Sequence, residues 1–293
     1  MLKSILSRSA FIYFVSGLIS ASCNLPVAAQ EFIDDAAIKK AIESGLKSLQ
    51  DTGTTPGAVD LLKELRSEPL FQGKFPKRNK LSNLSESEIL RSAEESTVVI
   101  GNLYLCGKCD DWHTSTAGGV IISEDGLLLT NYHVLEAEKA SVFAVMTSDQ
   151  KVYSIEKVLA ASKLNDVALV KLEGASGLTP APFAEGGNKG DEVFVISHPD
   201  SHFYTHTSGR ISRFALSTKH KVPLLQVTAD FARGSSGAGV FDAHGRLLGL
   251  VASTSSIYYD QDKNTQKDLQ MVFKSCVPLR SILELFEQPM SPK

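Results

Sequence analysis

The sequence has little to offer a polyanion. Its 293 residues carry 30 Lys and Arg against 33 Asp and Glu, a formal net charge of -3, so no global positive field exists to hold nucleic acid or an anionic membrane surface. Cysteine is scarce too, at four in the whole chain. That is too few for a scaffold built on disulfides, and a chain of this length buries enough core not to need one. Repeats and long low-complexity tracts are missing, and with 43% hydrophobic and 22% charged residues the composition excludes disorder of the whole chain. The apolar run from Ala10 to Ile19 is too short to span a bilayer.

That run follows Lys3 and Arg8 and precedes small residues ending in Val27-Ala28-Ala29, the order of a secretory signal peptide with an A-x-A-like cleavage site. Residues 1–29 are therefore expected to be removed on export, leaving a periplasmic or secreted protein with no stable membrane span. Cys23 raises lipoprotein anchoring as a minor alternative, although Ser20-Ala21-Ser22 lack the Leu that a lipobox places three positions upstream of its Cys. Cleavage leaves Cys106, Cys109 and Cys276. In an oxidising compartment Cys106 and Cys109 of "CGKC" are the candidate disulfide and Cys276 the odd, buried thiol. A zinc site of Cys106, Cys109 and His113 has no evident fourth ligand. His198, His202 and His206 are spaced by four, but Pro199 opposes the helix that would align them. No metal is expected.

Residues 30–84 read as a helical extension and linker. Ile38, Ala41, Ile42, Leu46 and Leu49 recur at helical spacing, and Val59, Leu62 and Leu65 do so after a break at 53–57, which together predict a small helical hairpin. The polar, basic stretch 71–84 reads as a solvated connection. Ser85 and Glu88 match a capping box. From Thr97 the texture changes to short apolar segments separated by turns such as Asp125-Gly126 and His244-Gly245, predicting a mainly β sandwich or barrel closed by a helix at Leu279 to Phe286. The organisation is thus 1–29, 30–84 and 85–293.

Three segments of the β region hold residues suited to nucleophilic catalysis. "LLLTNYHVL" ends an apolar strand at His133, "LNDVALVKL" places Asp166 before another, and "RGSSGAGV" places Ser236 in a glycine-rich turn before a third. Each alone is ordinary. The order His, Asp, Ser within an all-β chain is the order of chymotrypsin-like barrels and of neither subtilisin nor α/β-hydrolases.

With "AGGVIISEDGLLLTNYHVLEA", "NDVALVKL", "SHPDSHFYTHTSGRIS" and "LQVTADFARGSSGAGVFDAHGRLLGLV" in place, the stretch from about residue 97 to 286 resembles trypsin-like serine peptidases, and in texture the HtrA/Deg type. The resemblance implies a chymotrypsin-like double β-barrel, a serine endopeptidase activity without cofactor, and protein or peptide substrates; a homo-oligomer is compatible with it. Ser236 would attack, His133 would move the proton, and a buried Asp166 would orient the imidazole. The family's Gly-x-Ser-Gly motif falls on Gly234-Ser235-Ser236-Gly237, with Gly234 and Ser236 N–H groups as the oxyanion hole. Ser235 stands where many digestive relatives have an Asp that pairs with a new N-terminus, so activation by that route is not expected. Ala238-Gly239 replaces the usual Gly-Pro, and no PDZ-like segment follows in this sequence. Asp230 and Phe231 are the substrate-pocket candidates: Asp230 would attract Lys or Arg if it faced the cavity, whereas Phe231 would favour small aliphatic residues. The competing expectation is a catalytically weak peptidase-like module that binds peptides or proteins.

Overall fold

The computed structural model describes residues 32–53, 56–73, 84–262 and 265–286. The expected signal peptide, Cys23 and most of the expected linker lie outside the described residues. Three helices lead the chain in. Helix α1 (Asp35–Thr52) starts where the Asp34 carboxylate accepts the Ala37 N–H at 3.0 Å, satisfying one of the donors a helix start leaves open. Helix α2 (Ala58–Arg66) follows. Helix α3 (Glu86–Ser96) begins with Glu88 reaching back to the Ser85 N–H at 2.8 Å, as the capping box predicts.

The remaining strands form two antiparallel layers. The first contains β1 (Thr97–Leu105), β2 (Trp112–Ile121), β3 (Leu127–Thr130), β4 (Ala140–Met146), β5 (Val152–Tyr153), β6 (Ile155–Ser162) and β7 (Val167–Leu172), paired in the order β5-β4-β1-β2-β3-β7-β6. A one-turn helix, α4 (Tyr132–Leu135), links β3 to β4. The second contains β8 (Glu192–Ser197), β9 (Thr205–Leu216), β10 (Pro223–Val227), β11 (Gly239–Asp242), β12 (Leu247–Gln261) and β13 (Gln266–Pro278), and closes as a barrel in the order β10-β13-β12-β11-β8-β9. Helix α5 (Leu279–Leu283) ends in a 3-10 turn at Glu284–Phe286. The fold is mainly β, as expected, although only the second sheet is closed by hydrogen bonds among the described residues.

The two leading helices do not form a hairpin standing apart. Helix α1 lies on β4 and β1, and α2 on β6 and β4, because each has one apolar face and the sheet supplies the surface that covers it. Ile42 and Leu46 join a core with Val99, Leu103 and Leu129, while Leu61 and Leu65 join one with Val98, Leu128 and Val158. Polar contacts reinforce the docking: Glu64 accepts the Val158 N–H at 2.8 Å, and Glu68 accepts the Lys163 N–H at 2.9 Å. Phe71, at the head of the expected linker, is anchored as well, its ring edge-on to Phe286 at 5.3 Å. The described residues from Asp34 onward form one compact unit. No helix among the described residues is long and apolar enough to cross a membrane.

Candidate active site

His133 sits on α4, one turn beyond the strand end at which the sequence placed it. Tyr132, Val134 and Leu135 are buried, so three of the four residues root the turn in the core and leave His133 facing outward. Asp166 immediately precedes β7 in a left-handed backbone conformation, φ 53°. It is held from two sides: Asn131 Nδ2 donates to its carbonyl at 2.9 Å, and the His133 N–H donates to Oδ1 at 3.1 Å. The His133 ring then meets the carboxylate, with Nδ1 at 2.9 Å from Oδ2 and 3.0 Å from Oδ1. An Nδ1–H donating to that carboxylate leaves Nε2 with a lone pair to accept a proton. Asp166 is not the buried carboxylate of the sequence reading, since its side chain is 33% exposed.

The turn from Phe231 to Ala238 separates its two serines. Ser235 is buried, with its Oγ turned inward to accept the Ala232 N–H at 3.4 Å. Ser236 is half-buried, and its carbonyl accepts the Gly118 N–H of β2 at 2.8 Å, which ties the turn to the first sheet. Among the described residues, the N–H groups of Gly234 and Ser236 have no internal acceptor. The Arg233 carbonyl, which shares its peptide with Gly234 N–H, accepts from the Asp200 N–H at 2.7 Å. A trans peptide points its C=O and N–H in opposite directions, so this bond turns the Gly234 N–H away from Asp200. Ser236 Oγ and His133 are not hydrogen-bonded to each other among the described residues.

The pocket candidates part company. Phe231 is buried, whereas the Asp230 side chain is 83% exposed and stands 3.3 Å from the Lys274 ammonium. Lys274 also donates to the Phe231 carbonyl at 2.5 Å and lies over its ring. A carboxylate this exposed is not enclosed by a pocket wall.

The histidine trio is not gathered into a site. His202 Nδ1 contacts the Pro199 carbonyl at 3.1 Å, and His206 lies against the Phe194 ring. His198 is fully buried: Nε2 donates to the Val98 carbonyl and Nδ1 accepts the Tyr204 N–H, each at 3.1 Å. Burial pulls its pKa from 6.5 down to about 4, so it is neutral at pH 7. The unfolded chain takes up this proton near pH 6.5 and the folded chain only near 4, so the contribution of His198 is complete above pH 6.5 and is lost as pH falls toward 4. Denaturant titrations at pH 7, 5.5 and 4.5 should show His198→Asn losing less stability on acidification than the parent, by at most about 1.4 kcal/mol per pH unit; parallel profiles would exclude this role.

Cys106 and Cys109 stand with their sulfurs 3.3 Å apart as free thiols. The Lys108 N–H and the neighbouring thiol hold the Cys106 pKa down at about 7. Cys276 is fully buried, and burial pushes its thiol pKa up. Sequence reasoning missed Asn131, Gly118, His198 and Asp200. All four act through backbone groups or brace one, and that leaves no pattern in side-chain spacing.

Residues 117–250 match the family described as trypsin-like peptidase domain. The chain is 34% identical over 138 residues to a probable serine protease do-like of Buchnera aphidicola, across 45% of this chain and 28% of that protein. It is 30% identical over 139 residues to the periplasmic serine endoprotease DegP of Salmonella typhimurium, across 46% of this chain and 29% of that one. The chain therefore spans less than a third of the length of these curated relatives. The solved structure of the HtrA-type protease AlgW with a tripeptide is similar in fold, with a TM-score of 0.54 at 22% identity over 69% of this chain and 62% of that one.

Proposed function

We propose that this chain, similar to HtrA/DegP-type serine proteases and matching the trypsin-like peptidase domain over residues 117–250, is an exported serine endopeptidase. The observation that carries the reading is the His133–Asp166 pair, with Nδ1 at 2.9 and 3.0 Å from the two carboxylate oxygens. A serine hydroxyl is a weak nucleophile at neutral pH and needs such a base. His133 Nε2 takes the Ser236 proton as Oγ bonds to the substrate carbonyl carbon, and the carbonyl electron pair moves onto oxygen. The N–H groups of Gly234 and Ser236 receive that oxyanion. When the intermediate collapses, the C–N bond breaks and His133 returns the proton to the leaving amine, leaving an acyl-enzyme at Ser236. Water, deprotonated by the same imidazole, then releases the acid. Asp166 keeps the imidazole in the required tautomer and stabilises its protonated form.

The Ser236–His133 hydrogen bond is not formed, which favours a second reading, a peptidase-like binding module of low activity. Such contacts often tighten only around substrate, so a chemical test separates the two. A fluorophosphonate probe should label the purified protein at Ser236, labelling should survive Ser235→Ala, and it should disappear with Ser236→Ala. The same preparation should cleave peptides after Val or Ala in preference to Lys or Arg. A folded chain that resists the probe would favour the binding module.

A further inference from the structure

We propose that Cys106, Cys109 and His113 form a zinc-binding site at the tip of the β1–β2 hairpin. The sequence offers three ligands without a fourth; the structure supplies their convergence. Their donor atoms all lie within 4.8 Å of one another, with Cys109 Sγ 3.3 Å from Cys106 Sγ and 3.0 Å from His113 Nε2. The hairpin sets this arrangement. Strand β1 ends at Leu105 opposite Trp112, and Tyr104 faces His113 across the ladder, with the two rings 5.6 Å apart. The imidazole is thereby fixed on rigid strand beside the turn that carries the thiols. Within the turn, Gly107 adopts φ 73°, a conformation glycine takes without steric cost, and the Lys108 N–H points at Cys106 Sγ at 3.3 Å, as a donor that favours the thiolate.

Two thiolates and an imidazole are a donor set for a thiophilic ion such as Zn²⁺. With metal–sulfur bonds of about 2.3 Å and a metal–nitrogen bond of about 2.0 Å, tetrahedral binding needs the two pairs at 3.3 and 3.0 Å to open by roughly half an ångström and the Cys106–His113 pair, within 4.8 Å, to settle at about 3.5 Å. The loop allows this, because residues 107–111 are exposed. Its exposure also answers the missing fourth ligand, since solvent water reaches the open position. Binding releases the two thiol protons and involves no redox change. A disulfide, the competing outcome, uses the two sulfurs alone and gives no role to the imidazole seated 3.0 Å from Cys109. The site shares a strand with the candidate active site: β2 carries both His113 and Gly118, whose N–H holds the Ser236 carbonyl. The proposal does not depend on the peptidase reading.

The test uses the reduced full chain titrated with Zn²⁺ against a chromophoric chelator. Trp112, the one tryptophan of the sequence and the neighbour of His113, serves as a fluorescence reporter. One zinc per chain is expected, with a change in Trp112 emission that saturates at the same ratio. Cys106→Ser, Cys109→Ser and His113→Ala should each weaken binding by at least about a hundredfold, while their metal-free melting curves match that of the metal-free parent. Failure of the reduced parent to bind stoichiometrically overturns the site, as does binding that survives the two Ser variants. Recovery of the exported protein metal-free, with Cys106 joined to Cys109, also overturns it.

Discussion

Gly234→Ala is expected to lower kcat by about 100- to 1000-fold, the size of effect that follows loss of one oxyanion donor, in a protein that still folds. The cause is steric and local. Gly234 adopts φ 94°, and a Cβ there would stand 2.6 Å from the His198 carbonyl oxygen and 3.3 Å from the Asp200 N–H nitrogen. Neither atom is free to retreat. The His198 carbonyl accepts the Ser201 N–H at 3.3 Å, and the Asp200 N–H is committed to the Arg233 carbonyl at 2.7 Å. The peptide at the substituted position must therefore rotate, and its N–H turns away from the position proposed for the oxyanion. Asp200→Ala is the informative contrast. It removes the 2.6 Å ion pair with Arg233, but those side chains are 68% and 90% exposed, where solvent screens such pairs and they contribute little. It leaves the Asp200 N–H in place, so kcat should change by less than about fivefold. Steady-state kinetics on a peptide substrate, with melting curves for both variants, measure the difference. Equal activity of Gly234→Ala and the parent would remove Gly234 from the oxyanion turn.

The contrast also shows where sequence reasoning reached and where it stopped. His133, Asp166 and Ser236 stood out as candidates because each lies beside an apolar segment, where a polar residue breaks a pattern. His133 and Asp166 prove to be neighbours in space although 33 residues separate them. The Arg233–Asp200 bond was not legible, since it joins a carbonyl to an N–H that every non-proline residue possesses. Asn131 was equally hidden: its amide reaches the Asp166 carbonyl, but in "TNYHV" it reads as one more polar residue after a strand. Asp230 shows the limit of reading direction from spacing. Its offset from Ser236 suggested a pocket charge, but offset does not set direction, and the side chain points into solvent toward Lys274. Periodicity revealed the apolar faces of α1 and α2. It was silent on what covers them, because a hydrophobic stripe specifies that a face is buried and not its partner.

That silence matters most for the leading helices, whose removal is expected to destroy the fold. A chain starting at Ser85 loses Ile42, Leu46, Leu61 and Leu65, each no more than 1% exposed. At about 1.5–3 kcal/mol per buried side chain of this kind, their loss amounts to about 6–12 kcal/mol, comparable with the whole stability of about 5–15 kcal/mol typical of a domain. It also uncovers an apolar face of β1 and β4, and leaves the N–H groups of Val158 and Lys163 without the carboxylates of Glu64 and Glu68. The N–H of Phe203 loses its acceptor too, because the Asp35 carboxylate takes that bond at 2.8 Å. Phe203 adjoins the Pro199–Ser201 turn that positions the Arg233 carbonyl, so α1 braces the candidate oxyanion turn as well as the first sheet. The truncated chain should be insoluble, or soluble without a cooperative melting transition, and should not react with the fluorophosphonate probe. Leu46→Ala gives a graded version, costing about 2–5 kcal/mol with Ser236 labelling retained below the lowered melting temperature. A soluble truncated chain that melts within a few degrees of the parent and labels fully would make these helices an appendage rather than part of the core.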